Sequence, residues 1–244
     1  TTSNKDLVSE VLMLVKGIDK ILDWLRKNDV YATFFMVGEL LEENPELIDK
    51  ITQNEHEIAF HSMHHKNLNS QNKEIFSQEL SDFQKLTQNK SIGFRAPTFS
   101  LNNSSSWVLD VLTENNYQYD SSIVPAKTQL YGMPNAETKP YKISKNNLEN
   151  NSKDGKMIEF PLLTTKILGK KIPAAGGFYL RALPLKLIYN AIKHNSSMNV
   201  PSSFYIHSWE LTPEFMPKLN MPLIDIFLLI DRSDIFSITS FNRL

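Results

Sequence analysis

Four of the chain's six histidines fall within ten residues: His56, His61, His64 and His65. Imidazoles four residues apart, as His61 and His65 are, can face one ion if the segment makes a helical turn or a tight loop. Neutral imidazole suits zinc and related ions, and two such ligands leave positions open for a carboxylate and water. His64 offers a competing pairing with His61, and histidines lying on the surface with no ligand role are the plainer alternative. Three further residues have the type and setting for chemistry. His207 closes the apolar run Ser203-Phe-Tyr-Ile-His207, as a general acid or as a satisfied core histidine. Arg95 ends Ile92-Gly-Phe-Arg95, where an unpaired guanidinium is costly, so it needs a carboxylate in a site or in an ordinary ion pair. Asp120 closes Tyr117-Gln-Tyr-Asp120, where it orients His207, binds substrate or simply turns the chain.

Rigid elements must position these groups. Val11, Leu14, Val15, Ile18, Ile21, Leu22 and Leu25 step by three and four, so residues 7–27 read as an amphipathic helix. Val30-Tyr-Ala-Thr-Phe-Phe-Met-Val37 is β-branched and aromatic, a buried strand ended by Gly38. Residues 39–53 read as helix with Pro45 near its start, Ile58-Ala-Phe60 as strand, and 71–87 as helix with Ile75, Leu80, Phe83 and Leu86 inward. Trp107 to Leu112 is helical, 126–156 a polar excursion with room for a hairpin, and Met157-Ile-Glu-Phe160 a strand. Ser203–His207 and Ile235–Thr239 are the later strands, with helices near 184–194 and 222–231. Strand and helix alternating at this spacing implies parallel strands with crossover helices, and no repeat or Gly/Ser linker divides residues 1–244. The chemical residues sit at strand C-terminal ends, where sites gather in such folds.

Composition narrows the classes. Of 244 residues 41% are hydrophobic and 22% charged, enough for one packed α/β domain. A net charge of -1 argues against a nucleic-acid partner. With no cysteine, disulfides, thiolate ligands and cysteine nucleophiles are excluded. No apolar run reaches the roughly 18 residues of a membrane span. The polar opening Thr1-Thr-Ser-Asn-Lys-Asp6 lacks a signal-peptide core, which favours a bacterial, cytoplasmic setting.

Four stretches together resemble the polysaccharide deacetylases, the NodB-homology group also called carbohydrate esterase family 4. They are Ala32-Thr-Phe-Phe35, His56-Glu-Ile-Ala-Phe-His-Ser-Met-His-His65, Gly93-Phe-Arg-Ala-Pro97 and Phe204-Tyr-Ile-His-Ser-Trp-Glu210. Tyr119-Asp-Ser-Ser-Ile123 and Pro173-Ala-Ala-Gly-Gly-Phe-Tyr179 add to the likeness, which resembles the branch beside bacterial exopolysaccharide export genes. The resemblance implies a distorted (β/α) barrel of about seven parallel strands. It also implies metal-dependent removal of N-acetyl groups from an N-acetylhexosamine-containing poly- or oligosaccharide. His61 and His65 match the family's metal ligands, for one divalent ion, zinc first and cobalt or nickel as alternatives. Arg95 and Pro97 match its arginine motif, and His207 its late general acid. Thr98 replaces a tyrosine whose backbone N–H serves the oxyanion, a donor that survives the exchange.

The family opens with a strand bearing one or two aspartates, ligand and general base, and here only Asp6 and Glu10 are acidic in that region. The aspartates are therefore expected upstream of Thr1, and the first strand with them. Trp209, Tyr179 and Phe178 could form a sugar platform or pack the core, and Gly177 could admit backbone to a glycan or make a turn. A glycan-binding relative without activity and a deacylase or deformylase of another small N-acyl substrate are the competing functions.

Overall fold

The computed structural model describes the backbone of residues 4–212 and 236–239 and the side chains of Val15 and of residues 17–208 and 210–212. Helix α1 (Asn4–Lys27) buries Ile18, Ile21, Leu22 and Leu25, the stripe that the three–four spacing predicts. The strand expected at 30–37 is β1 (Thr33–Met36). Asn44-Pro45 then splits the next helix into α2 (Gly38–Glu43) and α3 (Glu46–Gln53), because proline disfavours helix in the residue before it. Then come β2 (Glu57–Phe60), α4 (Lys73–Leu86), β3 (Gly93–Phe94), α5 (Val108–Glu114) and β4 (Tyr119–Asp120). The inward face of α4 is Phe76, Leu80 and Phe83, while Ile75 is 48% exposed. Both sets fit a helical period, and the aromatic cluster of Phe60, Phe83 and Phe94 around Phe76 decides between them.

The excursion supplies β5 (Tyr141–Ile143), which pairs antiparallel with β6 (Met157–Glu159). A hairpin absent from the sequence reading follows, β7 (Thr164–Ile167) and β8 (Lys170–Pro173), turned through Leu168 and Gly169 at φ 48 and 78. Helices α6 (Gly177–Ala182), α7 (Leu185–Ser197) and α8 (Ser208–Leu211) precede β9 (Phe236–Thr239). The helix expected near 222–231 lies outside the described residues. Ser203–His207 forms only bridge-like contacts, Leu162 with Ser203 among them, rather than an extended strand. Among the described residues no helix is long and apolar enough to cross a membrane.

One sheet runs β5-β6-β4-β3-β2-β1-β9. Its interior pairs are parallel, and the two outer pairs, β5 with β6 and β1 with β9, are antiparallel. Seven strands in a mostly parallel α/β sheet match the expectation. The outer pairs differ from it in being antiparallel, and no pairing closes β5 onto β9 into a barrel among the described residues. Alternation sorts side chains between the faces. Phe34, Met36, Ile58, Phe60, Phe94 and Met157 pack the helix-covered core, each such buried side chain stabilising by about 1.5–3 kcal/mol. Phe35, Ala59 and Tyr119 line the opposite face. That second face carries the functional side chains.

Candidate active site

Where β2 ends, the chain makes a tight loop rather than a helical turn, with Ser62 and His65 in the left-handed region at φ 63 and 51. Backbone bonds hold it: Gly38 N–H donates to Ser62 O (3.0 Å) and Glu39 N–H to Met63 O (2.9 Å). Glu79 of α4 accepts from Met63 N–H at 3.2 Å. The loop brings the His61 and His65 rings to 5.1 Å, edge to face. His61 Nδ1 lies 2.6 Å from Arg95 O. A carbonyl only accepts, so Nδ1 carries the proton and Nε2 the lone pair, the tautomer a metal-ligating histidine adopts. The Nε2 atoms of His61 and His65 are both shielded from solvent. His64 instead turns outward to Glu39, with Nδ1 to Oε2 at 3.2 Å. His56 sits against Phe34 (ring centroids 5.4 Å apart) and accepts from Ala32 N–H at 3.4 Å, a core histidine whose pKa burial lowers.

Two imidazoles thus come close enough to face one divalent ion, with the ligating tautomer set at His61, while the described residues contain no group of three or more potential ligands. Asp6 and Glu10 lie in α1, their side chains outside the described ones.

Arg95 is 1% exposed. Its Nε donates to Ser121 O (2.8 Å), its second terminal nitrogen to Ser121 Oγ (2.7 Å), and its guanidinium lies 4.1 Å from the centroid of Phe35. Burial pulls its pKa down to about 10, offset in part by Tyr119, Glu159, Tyr205 and Asp120, so it is cationic at neutral pH. Among its contacts are thus a carbonyl, a hydroxyl and an aromatic face.

Asp120 corrects an expectation. Its register partners are Phe94 and Glu159, so it points into the helix-side core, opposite to Arg95 one residue out of phase. There Ser122 Oγ donates to Asp120 Oδ1 (2.5 Å) and accepts from Ala96 N–H (2.8 Å). Burial raises the pKa of both Asp120 and Glu159, and the charge of Asp120 raises Glu159 further. Asp120 therefore braces the Arg95-Ala96-Pro97 turn and does not orient His207.

The carboxylate beside His207 is Glu210, whose Oε2 lies 3.1 Å from His207 Nδ1 and accepts from His207 N–H at 2.9 Å. The pair closes a capping box at the start of α8, and Arg181 donates to the other oxygen of Glu210 at 2.8 Å. Burial would raise the Glu210 pKa, but the His207 hydrogen bonds and charge and the Arg181 charge outweigh it and hold it low. The spacing His207-Ser-Trp-Glu210 was the available signal, since a cap followed three residues on by Glu is a recognised helix start.

Contacts join the set. Arg95 lies 6.0 Å from the Tyr205 ring, and Tyr205 meets His207 at 5.4 Å. Gly177 is buried at φ 46, where an added Cβ would stand 3.3 Å from His207 Cε1. His65, His61, Arg95, Tyr205, His207 and Gly177 are thereby linked in one cluster. Pro97 opens a short turn in which Thr98 and Phe99 take φ 51 and 50. Thr98 borders a pocket of about 360 Å³ together with Asn67, Ser100, Asn102, Tyr131 and Met133. Tyr179 pairs with its neighbour Phe178 (5.4 Å), and the side chain of Trp209 lies outside the described residues.

A family profile described as "Polysaccharide deacetylase" matches residues 13–119, and one described as "Domain of unknown function (DUF3473)" matches 121–228. A peptidoglycan-N-acetylmuramic acid deacetylase of Bacillus subtilis (strain 168) is 36% identical over 61 residues, 25% of this chain and 23% of that protein. A peptidoglycan-N-acetylglucosamine deacetylase of Bacillus cereus is 31% identical over 105 residues, 40% of this chain and 36% of that protein. The chain thus spans well under half the length of these curated relatives. A solved structure described as a "putative polysaccharide deacetylase from Mycobacterium smegmatis" aligns with TM-score 0.55 and 19% identity, covering 90% of this chain and 72% of that one. That likeness establishes the fold.

Proposed function

We propose, from the premise that this chain carries a polysaccharide deacetylase domain of the NodB-homology type, that it hydrolyses N-acetyl groups from an N-acetylhexosamine-containing poly- or oligosaccharide. The observation that carries the reading is the cluster itself: paired imidazoles, a buried arginine and a carboxylate-supported histidine on one face of the sheet. His61 and His65 would hold a divalent ion, zinc, cobalt or nickel by donor type. When bound, such an ion supplies Lewis acidity to the acetyl carbonyl and to the attacking water.

The chain's own residues supply the rest. His207, fully buried and backed by Glu210, delivers a proton to the departing amine. Arg95 places a fixed positive charge in a water-poor setting, where it steadies negative charge developing at the reacting carbon's oxygen or on a base carboxylate. Amides and hydroxyls from Asn67, Thr98, Ser100 and Asn102, with Tyr131 as an aromatic wall, suit a neutral sugar ring.

Acetate release from chito-oligosaccharides by the full chain, with and without chelator, tests the reading. His61→Ala and His65→Ala should each abolish stoichiometric metal uptake and release. Unchanged uptake in both variants refutes the ligand pair. Glycan binding without release under any metal would leave a binding protein, and formate release from formylated sugars in place of acetate would make it a deformylase.

A further inference from the structure

A second concave surface lies on the same end of the sheet. Residues 124–139 leave the C-terminal end of β4 and hairpin β7–β8 leaves that of β6, and between them lies a groove of about 1000 Å³. Lys127, Lys139, Lys166, Lys170 and Lys171 line it, with Glu137 the single acidic wall residue. Glu137 is turned aside, its Oε1 accepting from Asn151 N–H at 2.9 Å. Among the described residues none of the five ammonium groups lies within ion-pair distance of a carboxylate, unlike Lys27, Lys50, Lys73, Lys85 and Lys145. Other lysines, such as Lys66, Lys90 and Lys186, are also without an ion pair among the described residues, and what sets the five apart is the one concave wall they share. Such a concentration of charge is not a by-product of composition, because the whole chain is at -1. Lys171 bridges the walls, donating to Ala136 O at 3.4 Å, and burial followed by the charge of Lys166 lowers its pKa. Gathering unpaired cations is unfavourable unless something anionic enters, and a concave cationic wall focuses potential on such a ligand.

We propose that this groove binds an anionic stretch of the glycan, carboxylate-bearing sugars flanking the N-acetylhexosamine that is deacetylated. The inference rests on the glycan reading above and narrows it to an acidic polymer. Continuity supports a chain-like ligand: residues 130–133 wall the pocket beside Thr98, while Lys127 and residues 134–139 of the same segment wall the groove. An anionic bilayer is the rival occupant, since Leu168 at the hairpin tip is 97% exposed. A flat surface does not enter a groove walled on two sides, and a single leucine adds little anchoring.

The test uses the full chain and an oligosaccharide of alternating glucuronate and N-acetylglucosamine, against a chito-oligosaccharide of equal length. At low ionic strength the acidic probe should bind about tenfold tighter or more, and about 0.5 M salt should erase the difference. Lys166→Glu with Lys170→Glu should remove the preference while thermal stability is retained, with Lys166→Ala/Lys170→Ala intermediate. Equal affinity of parent and charge-reversed protein for the acidic probe overturns the proposal. So does lysine-dependent binding to phosphatidylserine vesicles without any sugar preference. Acetate release from the neutral oligomer is read separately: its absence in every variant sinks the deacetylase reading, whereas its persistence alongside unchanged probe affinity sinks only the groove.

Discussion

Single side chains here are set by what they touch. His56 and His61 differ by five positions, yet one stacks on Phe34 as a core residue and the other faces a carbonyl that fixes its tautomer. The lowered pKa of His56 has a consequence for stability. Above its ordinary 6.5 the ring is neutral in both states and contributes nothing. Below it the unfolded chain takes up a proton that the folded chain resists, so stability falls as pH drops from 6.5 towards the folded value. Thermal melts of His56→Gln should show a shallower loss between about pH 7 and 5.5 than the parent does. Identical slopes would remove burial as the cause. The letters singled out His61, Arg95 and His207 because each ends an apolar run, and His65 by its four-residue spacing from His61 together with the family resemblance. Of the roles open to Asp120, orienting His207 does not fit the geometry: the period-two alternation of β4 sends its side chain to the other face, and Glu210, three residues from His207, stands in that place.

Between elements, close approach governs. Gly176 begins α6 at φ 83, and a Cβ there would stand 2.1 Å from the Tyr205 ring, the residue between Arg95 and His207. Gly176→Ala combines backbone strain with a collision against a rigid ring. It should cost about 2–4 kcal/mol of stability and depress acetate release at least tenfold. Gly169, at φ 78 with nothing within 4 Å of its would-be Cβ, carries only the conformational cost, so Gly169→Asn should be near neutral in melting temperature. Equal losses for both would show that φ alone, not Tyr205, matters at Gly176. The hairpin holding Gly169 escaped the sequence reading because its lysine-rich strands have exposed and half-buried faces and lack the apolar signature of the sheet's core strands.

The whole molecule joins two stretches that match separate family profiles, meeting near residue 120. The sheet runs straight across that point: β3 pairs with β4 and β4 with β6, Arg95 is held by Ser121, and Asp120 stands opposite Glu159 in the register. A fragment of residues 1–119 would leave the Arg95 guanidinium without its Ser121 acceptors in a buried setting, at a cost of several kcal/mol. It should therefore lack near-ultraviolet circular dichroism and cooperative melting when purified alone. A sharp melt comparable to the full chain's would show that the two stretches fold independently.

The sequence by itself determined the alternating α/β plan and the functional letters, because periodicity and apolar runs are local properties that burial imposes directly. Tertiary structure decided the rest. It split the helix at Pro45, chose Phe76 over Ile75 for the core, turned Asp120 away, supplied Glu210 to His207 and gathered five lysines from distant segments into one groove. Each of these depends on which surfaces meet across the sheet, and no window of neighbouring residues encodes that choice.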